Sequence, residues 1–492
     1  MSNGTAGAGE PLEPALKQLI WVLVLGALAP ALDTTIVNVA LAAIGRGLHT
    51  SISSSQWTIT GYLLAAGMAM PVTKWATERF GAKRLWLFSL ALFMVGSALS
   101  GAAWDVASLV VFRVVQGLAA GLMLPLVTTL LVQAAGPGRL GRLMSLASLP
   151  MVVVPVFGPV VGGLIVNNLS WRWVFYVNVP ICVAASLLAW RVVPESRRSA
   201  QRQPLDLLGL GLLSPSLALI IYGLSKAGDR SGFTGTGALV PLVIGLVLGV
   251  AFVVHALRRK DAPVVNVRLL RVRSYAASIA VFFLAGLCIY GPLLLLALYY
   301  QQVQGKSALV AGLLLAPQGL GSLLPRTVAG KLTDRIGPRL IVLVGLVMTA
   351  LGTLGFAFAG ARPSVWVLGA SLIVRGAGLA GVTIAAMAGA FRQVAATDVP
   401  DASTTTRIVQ QVGGSFGAAV LAVILAHGLL THDISAAARA VAFDRAFWWS
   451  IGFTALAVLP AFLLPGNLKG RRRAQLRPTT GDGALSNRAG AA

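Results

Sequence analysis

Apolar stretches of about 20 residues recur along the whole chain, each separated from the next by charged or turn-forming residues. A helix of that length crosses about 30 Å of hydrocarbon. Charged residues make up only 11% of the sequence, against about 25% in soluble proteins, which is too few to coat a water-facing surface of this size. The sequence therefore predicts an all-α integral membrane protein. Its 14 predicted transmembrane helices are residues 18–43, 56–76, 84–104, 107–131, 143–167, 172–193, 206–225, 237–257, 275–303, 307–329, 339–360, 364–390, 406–429 and 445–466.

The basic residues predict the orientation. Most of the 39 Lys and Arg fall in alternate loops and in the C-terminal tail, so the positive-inside rule places both termini in the cytoplasm. The net charge of +24 is spread between apolar runs and not gathered on one soluble face, which predicts contact with anionic membrane lipids and no nucleic-acid partner. The polar start lacks a basic region and a cleavage site, so we expect no removable signal peptide.

Two segments of the chain resemble each other at a separation of 256 residues. Residues 79–85, after the second span, match 335–340, after the tenth, and a similar separation relates 112–121 to 374–381. Parallel halves of six spans, with a substrate site between them near the middle of the membrane, are typical of one large class of secondary transporters. The sequence thus predicts two six-helix pseudo-repeat bundles plus a two-helix insertion. The predicted parts are an N-terminal cytoplasmic tail (1–17), an N-terminal bundle (18–193), a linker with an inserted transmembrane hairpin (194–274), a C-terminal bundle (275–466) and a basic disordered cytoplasmic tail (467–492).

Asp33 is the only one of the 15 acidic residues predicted to lie deep inside a span. An Asp at the centre of a membrane helix costs about 2.5–3.5 kcal/mol, and such residues usually line a cavity or relay protons. Arg113 lies at a depth that matches within about 6 Å, so we predict that the two side chains interact until water or substrate separates them. The alternatives are a purely structural Asp33, bonded to nearby backbone, and an Arg113 that caps backbone carbonyls.

Arg375 is the counterpart of Arg113 in the second half, and no acid is predicted at its depth. An anionic or polar substrate group, or backbone carbonyls, would satisfy it. Polarity and position in the central spans give the candidate substrate-cavity residues Asn38, Tyr62, Gln116, Tyr299, Gln302, Gln318, Arg375 and Gln411.

Two kinds of segment are candidates for conformational gating. Short turns after the second and tenth spans place an acid and basic residues beside a glycine that lets the chain reverse. The fifth span combines prolines, which remove backbone hydrogen bonds, with glycines that allow close helix approach. Plain solvated turns and close packing without motion are the alternatives. The candidate gating residues are Glu78, Arg79, Gly81, Pro155, Gly158, Pro159, Gly162, Gly163, Asp334, Arg335 and Gly337.

Enzyme motifs in the sequence lack the context that they require. The segment Gly305-Lys306-Ser307 has Tyr300 at the position where a phosphate-binding loop needs glycine. The sequence therefore excludes ATP as the energy source of a pump. The Gly413 to Gly417 run matches a nucleophile-elbow pattern but falls inside a predicted helix with no strand before it. Cys182 and Cys288 lie far apart in apolar stretches, so neither a disulfide nor a metal site is expected. The sequence predicts a protein that is not an enzyme and needs no cofactor.

Four segments together give a family resemblance: Leu32 to Leu41, Arg113 to Gly117, Gly158 to Gly163 and Trp171 to Pro180. They resemble the major facilitator superfamily, in its fourteen-span drug:proton antiporter branch, and residues 299–302 with Pro317 are also similar to it. The resemblance implies proton-driven export of lipophilic or amphiphilic compounds, such as antibiotics, by alternating access. It also implies that Asp33 is the coupling acid and that Arg113 modulates it. The excess of Arg over Lys and the abundance of Ala and Gly are typical of a bacterium with a GC-rich genome. We therefore expect a protein of a bacterial inner membrane, and we expect it to be a monomer.

The sequence departs from the family pattern at two places. Lys74 and Glu78 stand where the family usually has Gly and Asp, so the second turn, with Asp334, is expected to carry more of the gating. Acids in late spans, which members exporting dications often carry, are not predicted here, which favours neutral or anionic amphiphiles. A channel or facilitator for a polar or anionic metabolite or a lipid, without proton coupling, is the alternative function.

Overall fold

The structure is a computed structural model, and it describes residues 14–135, 149–195, 205–226, 235–259, 264–265, 267–323, 325–360, 363–391, 394, 399–430 and 436–466. These residues form helices joined by short turns. The helices are α1 Pro14–Gly47, α2 Ile52–Ser55, α3 Trp57–Phe80, α4 Ala82–Gly101, α5 Val106–Ala135, α6 Leu149–Asn168, α7 Trp173–Tyr176, α8 Asn178–Val192, α9 Leu207–Lys226, α10 Thr236–Arg258, α11 Arg273–Gln302, α12 Ala308–Leu323, α13 Arg326–Ile336, α14 Pro338–Ala357, α15 Val365–Phe391, α16 Val399–Leu430, α17 Ala436–Leu456 and α18 Val458–Ala461, with a 3₁₀ turn at Val267–Arg271.

The helices follow the predicted apolar stretches. In the described part of the chain, 10 of them are long and apolar enough to cross a membrane. Helix α17 begins at Ala436, nine residues before the last predicted span, 445–466. The first nine residues of α17 include several alanines and the charged residues Arg439 and Asp444. These residues lower the hydropathy of the segment but do not interrupt the helix. The tenth predicted span is divided into α12 and α13 next to Pro325, which cannot donate a helical hydrogen bond.

Glycines bring the helices of each half into close contact. In the first half, a side chain at Gly117 or Gly121 of α5 would meet the carbonyl oxygen of Tyr62 or Ala66 in α3. In the second half, a side chain at Gly413 of α16 would likewise meet the carbonyl oxygen of Phe283 in α11. Small residues at such crossings are the usual packing device in membranes, where burial of apolar surface does not by itself drive association.

The largest contacts between the first half (α1–α8) and the second half (α11–α18) join three helix pairs. The Gln301 side-chain amide donates a 2.9 Å hydrogen bond to the Val39 carbonyl, which joins α11 to α1. The α6–α12 contact is tight enough that a side chain at Gly163 would meet the backbone of Leu309 at 2.5 Å. The third pair is α16 with α3, where the Ser415 hydroxyl donates to the Thr60 carbonyl at 3.4 Å.

The hairpin of α9 and α10 lies beside the α3–α16 seam. Ile221 of α9 is fully buried against Leu64 of α3 and Ala419 of α16. Tyr222 meets Trp57 with ring centroids 6.2 Å apart. The outer helix of the hairpin, α10, leaves most of its Leu and Val side chains exposed, as a helix that faces lipid does. The hairpin is therefore a peripheral addition that touches both halves.

Candidate functional site

Asp33 lies near the middle of α1, and its side chain is fully buried. Arg113 of α5 is buried to the same degree and donates from Nη1 to Asp33 Oδ2 at 2.5 Å. The predicted contact between these two residues is thus present. A buried ion pair of this kind offsets the cost of desolvation only if further hydrogen bonds satisfy both groups.

Neutral side chains supply those further hydrogen bonds. Gln116, one turn after Arg113, accepts from Arg113 at 2.7 Å and donates to Asp33 Oδ1 at 3.1 Å. Asn178 at the start of α8 donates to the same carboxylate oxygen at 3.2 Å. The Ser97 hydroxyl of α4 accepts from both amides, at 3.0 and 3.1 Å, and itself donates to the Phe175 carbonyl. Helices α1, α4, α5 and α8 of the first half therefore share one hydrogen-bond network around this carboxylate.

Arg113 has two other kinds of contact. Its Nε donates to the Thr58 carbonyl at 2.9 Å, so the alternative role of capping a backbone carbonyl is also fulfilled. Its guanidinium carbon lies 4.1 Å from the ring centroid of Tyr62, close enough for a cation–π interaction. The Tyr62 hydroxyl donates to the Pro30 carbonyl of α1 at 3.3 Å. We call Asp33, Tyr62, Ser97, Arg113, Gln116 and Asn178 the acid cluster.

The acid cluster is closed in this conformation. Asp33 has no exposed surface, and its contacts come from side chains of α5 and α8, not from neighbouring backbone. Water reaches the carboxylate only after some of these contacts separate. Asp33 therefore has no direct contact with solvent in the conformation seen here.

Arg375 of α15 is the centre of a second, corresponding group of residues. It donates from Nη1 to Gln318 Oε1 at 2.7 Å and from Nη2 to the Cys288 carbonyl at 2.6 Å, and its Nε has no partner. The Cys288 thiol lies 3.4 Å from the Thr454 hydroxyl. Among the described residues no carboxylate pairs with Arg375. We call Cys288, Gln318, Arg375 and Thr454 the acid-free cluster.

The other predicted cavity residues lie elsewhere. Asn38, one turn after Asp33, donates to the Thr34 carbonyl at 2.6 Å and leaves its Oδ1 buried without a partner. Gln411 of α16 contacts Gly67 of α3, at the junction of the halves, and its Oε1 is likewise buried without a partner. Tyr299 and Gln302 belong to the last turns of α11, away from both clusters.

Those last turns of α11 form a different environment. Tyr299 donates to the Gly360 carbonyl at 2.7 Å and packs edge-on against Phe356, Phe443 and Phe447. Gln302 borders a cavity of about 370 Å³ between the ends of α1 and α11, together with Arg46 and His49. The predicted span 275–303 already has Tyr299 and Gln302 in its last turns, so polarity alone made them candidates for a central cavity.

The two gating turns have the same backbone geometry. Gly81 and Gly337 adopt φ of 88° and 92°, and each N–H donates to a threonine carbonyl four residues earlier, Thr77 or Thr333, at 2.9 and 3.0 Å. Arg79 lies over the Trp75 ring at 5.9 Å, Glu78 is half-buried, and Arg335 is exposed. The side chain of Asp334 lies outside the described residues.

The gating residues of α6 lie between the two halves. Gly158 and Gly162 pack against Thr35 and Ile36 of α1, in the same half. The Pro159 carbonyl stands where a side chain at Gly312 of α12 would be, and Gly163 contacts the start of α12. The backbone of Pro155 is part of α6, whereas its side chain is outside the described residues. The predicted packing point is therefore present, and it touches both halves.

Several residues at these sites were not predicted from the sequence. They are uncharged or lie near the predicted ends of spans, where polarity is common and carries little signal. Within the described residues no group of three or more His, Cys, Asp or Glu could hold a metal ion. The residues that sequence analysis missed are Ser97 and Asn178 in the acid cluster and Cys288 and Thr454 in the acid-free cluster.

Comparison with known proteins gives a consistent family. The model of the Major Facilitator Superfamily matches residues 23–420. The chain is 36% identical over 442 residues to the multidrug resistance protein B homolog of Mycobacterium tuberculosis, covering 89% of this chain and 82% of that protein. It is 34% identical to the multidrug export protein EmrB of Haemophilus influenzae, over 68% of this chain and 66% of that protein.

A third relative and two solved structures extend the comparison. The tetracenomycin C resistance and export protein of Streptomyces glaucescens is 31% identical, over 82% of this chain and 74% of its own length. A D-xylose-proton symporter superposes with a TM-score of 0.66 at 15% identity, covering 91% of this chain and 98% of that one. A peptide transporter superposes with a TM-score of 0.67 at 12% identity, covering 91% and 95%. The two structures are similar in fold.

Proposed function

The chain belongs to the Major Facilitator Superfamily, and on that premise we propose that it is a proton-coupled exporter of lipophilic or amphiphilic small molecules. The names of three relatives, which resist or export drugs, support the substrate class. The observation that carries the proposal is a carboxylate fully buried inside a membrane helix and held by a buried arginine. Ionisable residues in such places mark ion or proton pathways.

The proposed architecture has 14 transmembrane helices. It takes α1, α3–α6 and α7–α8 as one bundle, α9 and α10 as the inserted hairpin, and α11, α12–α13 and α14–α18 as the other bundle. Both termini face the cytoplasm of a bacterial cell, and basic residues at that side contact anionic lipids. We propose a monomer, since each half finds its packing partner within the same chain.

Asp33 is the coupling acid in this proposal. When Arg113 and Asp33 separate, the carboxylate meets water and binds a proton, because an unpaired buried carboxylate is far more costly than its neutral form. When the pair closes again, Arg113 favours the charged form and the proton leaves. Gln116 and Asn178 keep Asp33 in place in both states. A change in helix contacts is thereby linked to the loading of one proton.

One proton supplies enough free energy. Moving a unit charge across 100 mV yields about 2.3 kcal/mol, and each unit of pH difference adds about 1.36 kcal/mol. Together these sustain a concentration ratio of more than about a hundredfold for a neutral solute.

Alternating access follows from the cross-half contacts. In this structure α1 meets α11, and α6 meets α12, near the ends that the predicted orientation places outside. We propose that this side is closed here, and that export opens it by separating these two contacts. The glycines of α6 then slide against α12, while the turns at Gly81 and Gly337 hold the opposite side.

The test is transport by wild type and by Asp33→Asn, which removes the charge and nearly preserves shape. Everted membrane vesicles are acidified inside, and a panel of amphiphilic antibiotics is added while the internal pH is followed. Wild type is expected to release protons when an exported compound is added, and to accumulate that compound uphill. Asp33→Asn is expected to do neither, although it stays in the membrane.

The matched control is Asp105→Asn in the loop before α5. Hydrogen bonds from the Ser108 backbone and side chain keep the pKa of Asp105 below its usual range, so its loss also removes a charge, but at the surface. We expect normal transport from this variant. If Asp33→Asn transports every compound as well as Asp105→Asn does, then Asp33 has no part in coupling. If wild type lets compounds equilibrate without ever accumulating them, the protein is a channel or facilitator.

A further inference from the structure

Arg407 is a second intramembrane cation of the second half without an acid partner. It lies in α16, within the apolar stretch Ala402–Leu429, and is half-buried. It makes no ion pair or hydrogen bond with a residue that the structure describes. Placing a guanidinium inside a membrane costs free energy, so such groups normally face a cavity or a partner. Arg407 was missed by the sequence analysis because it stands one residue inside the predicted edge of its span.

The face of α16 that carries Arg407 points to the junction of the two halves. Residues four and seven positions later, Gln411 and Gly414, share that face of the helix. Gln411 touches Gly67 of α3 in the first half, while a side chain at Gly414 would meet the ring of Tyr290 in α11 at 2.5 Å. Arg407 therefore lies one turn away from the position where α3, α11 and α16 meet.

Tyr290 links this position to the acid cluster. Its ring packs against Gly414 of α16 on one side and against the apolar core that contains Tyr62 on the other. Tyr62 lies under the Arg113 guanidinium. Gln411 adds a side-chain amide whose Oε1 is buried without a partner, and its Nε2 can donate hydrogen bonds. The site thus offers a cation and neutral polar groups, and Asp33 of the acid cluster is already paired with Arg113.

We propose that Arg407 binds the ionised acid of an amphiphilic substrate, a carboxylate or phenolate, at the junction of the two halves. Tyr290 and Gln411 provide hydrogen bonds to the same group, and the apolar part of the substrate lies against the surrounding helices. This proposal rests on the proposed export function and specifies its substrates. A guanidinium and a carboxylate form strong, charge-assisted hydrogen bonds, and these are strengthened in a site with little water. Among the described residues, this site contains no unpaired acid that could bind a dication.

The experiment compares two probes that differ by one charge: dansyl-labelled undecanoic acid and its methyl ester. Uptake into everted vesicles is measured for wild type, Arg407→Gln and Arg407→Lys. The matched control is Arg271→Gln, which removes an exposed charge at the start of the same half. We expect Arg407→Gln to raise KM for the acid at least about tenfold, a change of about 1.4 kcal/mol in binding. The ester should change less than twofold in every variant.

Arg407→Lys keeps the charge and gives a second measurement should Arg407→Gln fail to fold. It should transport the acid with a KM between those of wild type and Arg407→Gln, because an ammonium lacks the planar fork of donors. Equal effects of Arg407→Gln on acid and ester would overturn the proposal. So would a wild type that exports other compounds of the panel but never the acid. A wild type that exports no compound at all contradicts the export function itself.

A lipid headgroup is the other source of an anion in this site. The same measurements are therefore made in vesicles of phosphatidylcholine alone and with added phosphatidylglycerol. If Arg407 binds the substrate, the loss of acid transport in Arg407→Gln is the same in both. If it binds a lipid instead, acid and ester decline together, and only in the vesicles with phosphatidylglycerol.

Discussion

Arg113 in α5 and Arg375 in α15 occupy corresponding positions of the two halves, and the main difference between their surroundings is one charged group. Ser97 and Tyr62 of the acid cluster are each separated by 256 residues from Thr353 and Gln318 in the second half. Asn178 of α8 contacts Asp33 as Thr454 of α17 contacts Cys288. The place of the Asp33 carboxylate, however, is taken by the Cys288 carbonyl. The duplicated scaffold is retained, and only one copy holds an acid.

The difference separates two tasks that a coupled transporter must perform. The acid cluster is neutral overall as an ion pair and becomes cationic when Asp33 binds a proton. The acid-free cluster keeps one positive charge throughout, held by neutral oxygens. A group that changes charge suits proton coupling, whereas a lasting positive charge suits the binding of an anionic substrate in the second half. The comparison therefore predicts that equivalent substitutions in the two clusters have unequal effects.

The largest effect is expected from removing each arginine in turn. Arg113→Met leaves the Asp33 carboxylate buried without its cation, a loss of about 3–5 kcal/mol in free energy of unfolding. Arg375→Met leaves only Gln318 Oε1 and the Cys288 carbonyl without a donor, about 1–3 kcal/mol. The measurement is unfolding by SDS titration in detergent micelles.

A double variant tests the cause of that difference. Asp33→Asn combined with Arg113→Met removes both charges, so it should be more stable than Arg113→Met alone. Equal losses for Arg113→Met and Arg375→Met, or no recovery in the double variant, would mean that the buried charge of Asp33 is not what distinguishes the two clusters.

The next effect differs in sign between the clusters. Gln318→Glu places a carboxylate 2.7 Å from an arginine that has none, so it should leave the protein as stable as wild type or raise stability by about 1 kcal/mol. Gln116→Glu places a second acid beside Asp33 and removes a donor to it, so it should lose about 1–3 kcal/mol. The same SDS titration at neutral pH compares them. Losses of the same sign and size would contradict the assignment of an acid-free second cluster.

The sequence predicted the helices and the Asp33–Arg113 contact for physical reasons. Span length and charge depletion report directly on the lipid solvent, and the cost of an acid in lipid makes Asp33 conspicuous. Depth along a regular helix then gives the partner, because α1 and α5 cross the membrane at the same 1.5 Å rise per residue. The sequence also showed that Arg375 has no acid at its depth.

The neutral members of the two clusters could not be predicted in this way. Ser97, Asn178 and Thr454 are polar residues near helix turns or within apolar runs, where serine and threonine commonly bond their own backbone. Their importance depends on which side of a helix faces which neighbour. Arg407 escaped notice because a positive charge near the end of a span is usually an anchor at the membrane surface. Its position became clear only from the contacts of Gln411 and Gly414 on the same face.

The smallest effect concerns a feature that the two halves share. Gly81 and Gly337 both adopt a positive φ near 90°, a conformation in which an alanine side chain is strained. Gly81→Ala and Gly337→Ala should therefore each lose about 1–2 kcal/mol in SDS titration, by equal amounts. Gly369→Ala, at a helical position with open space around it, serves as the control and should lose nothing. A loss confined to Gly337→Ala would show that the first turn has given up its structural role along with the departures at Lys74 and Glu78. Equal losses would show that both turns still constrain the helices that they join. The two halves would then differ in the charge of their clusters and not in the structural role of their turns.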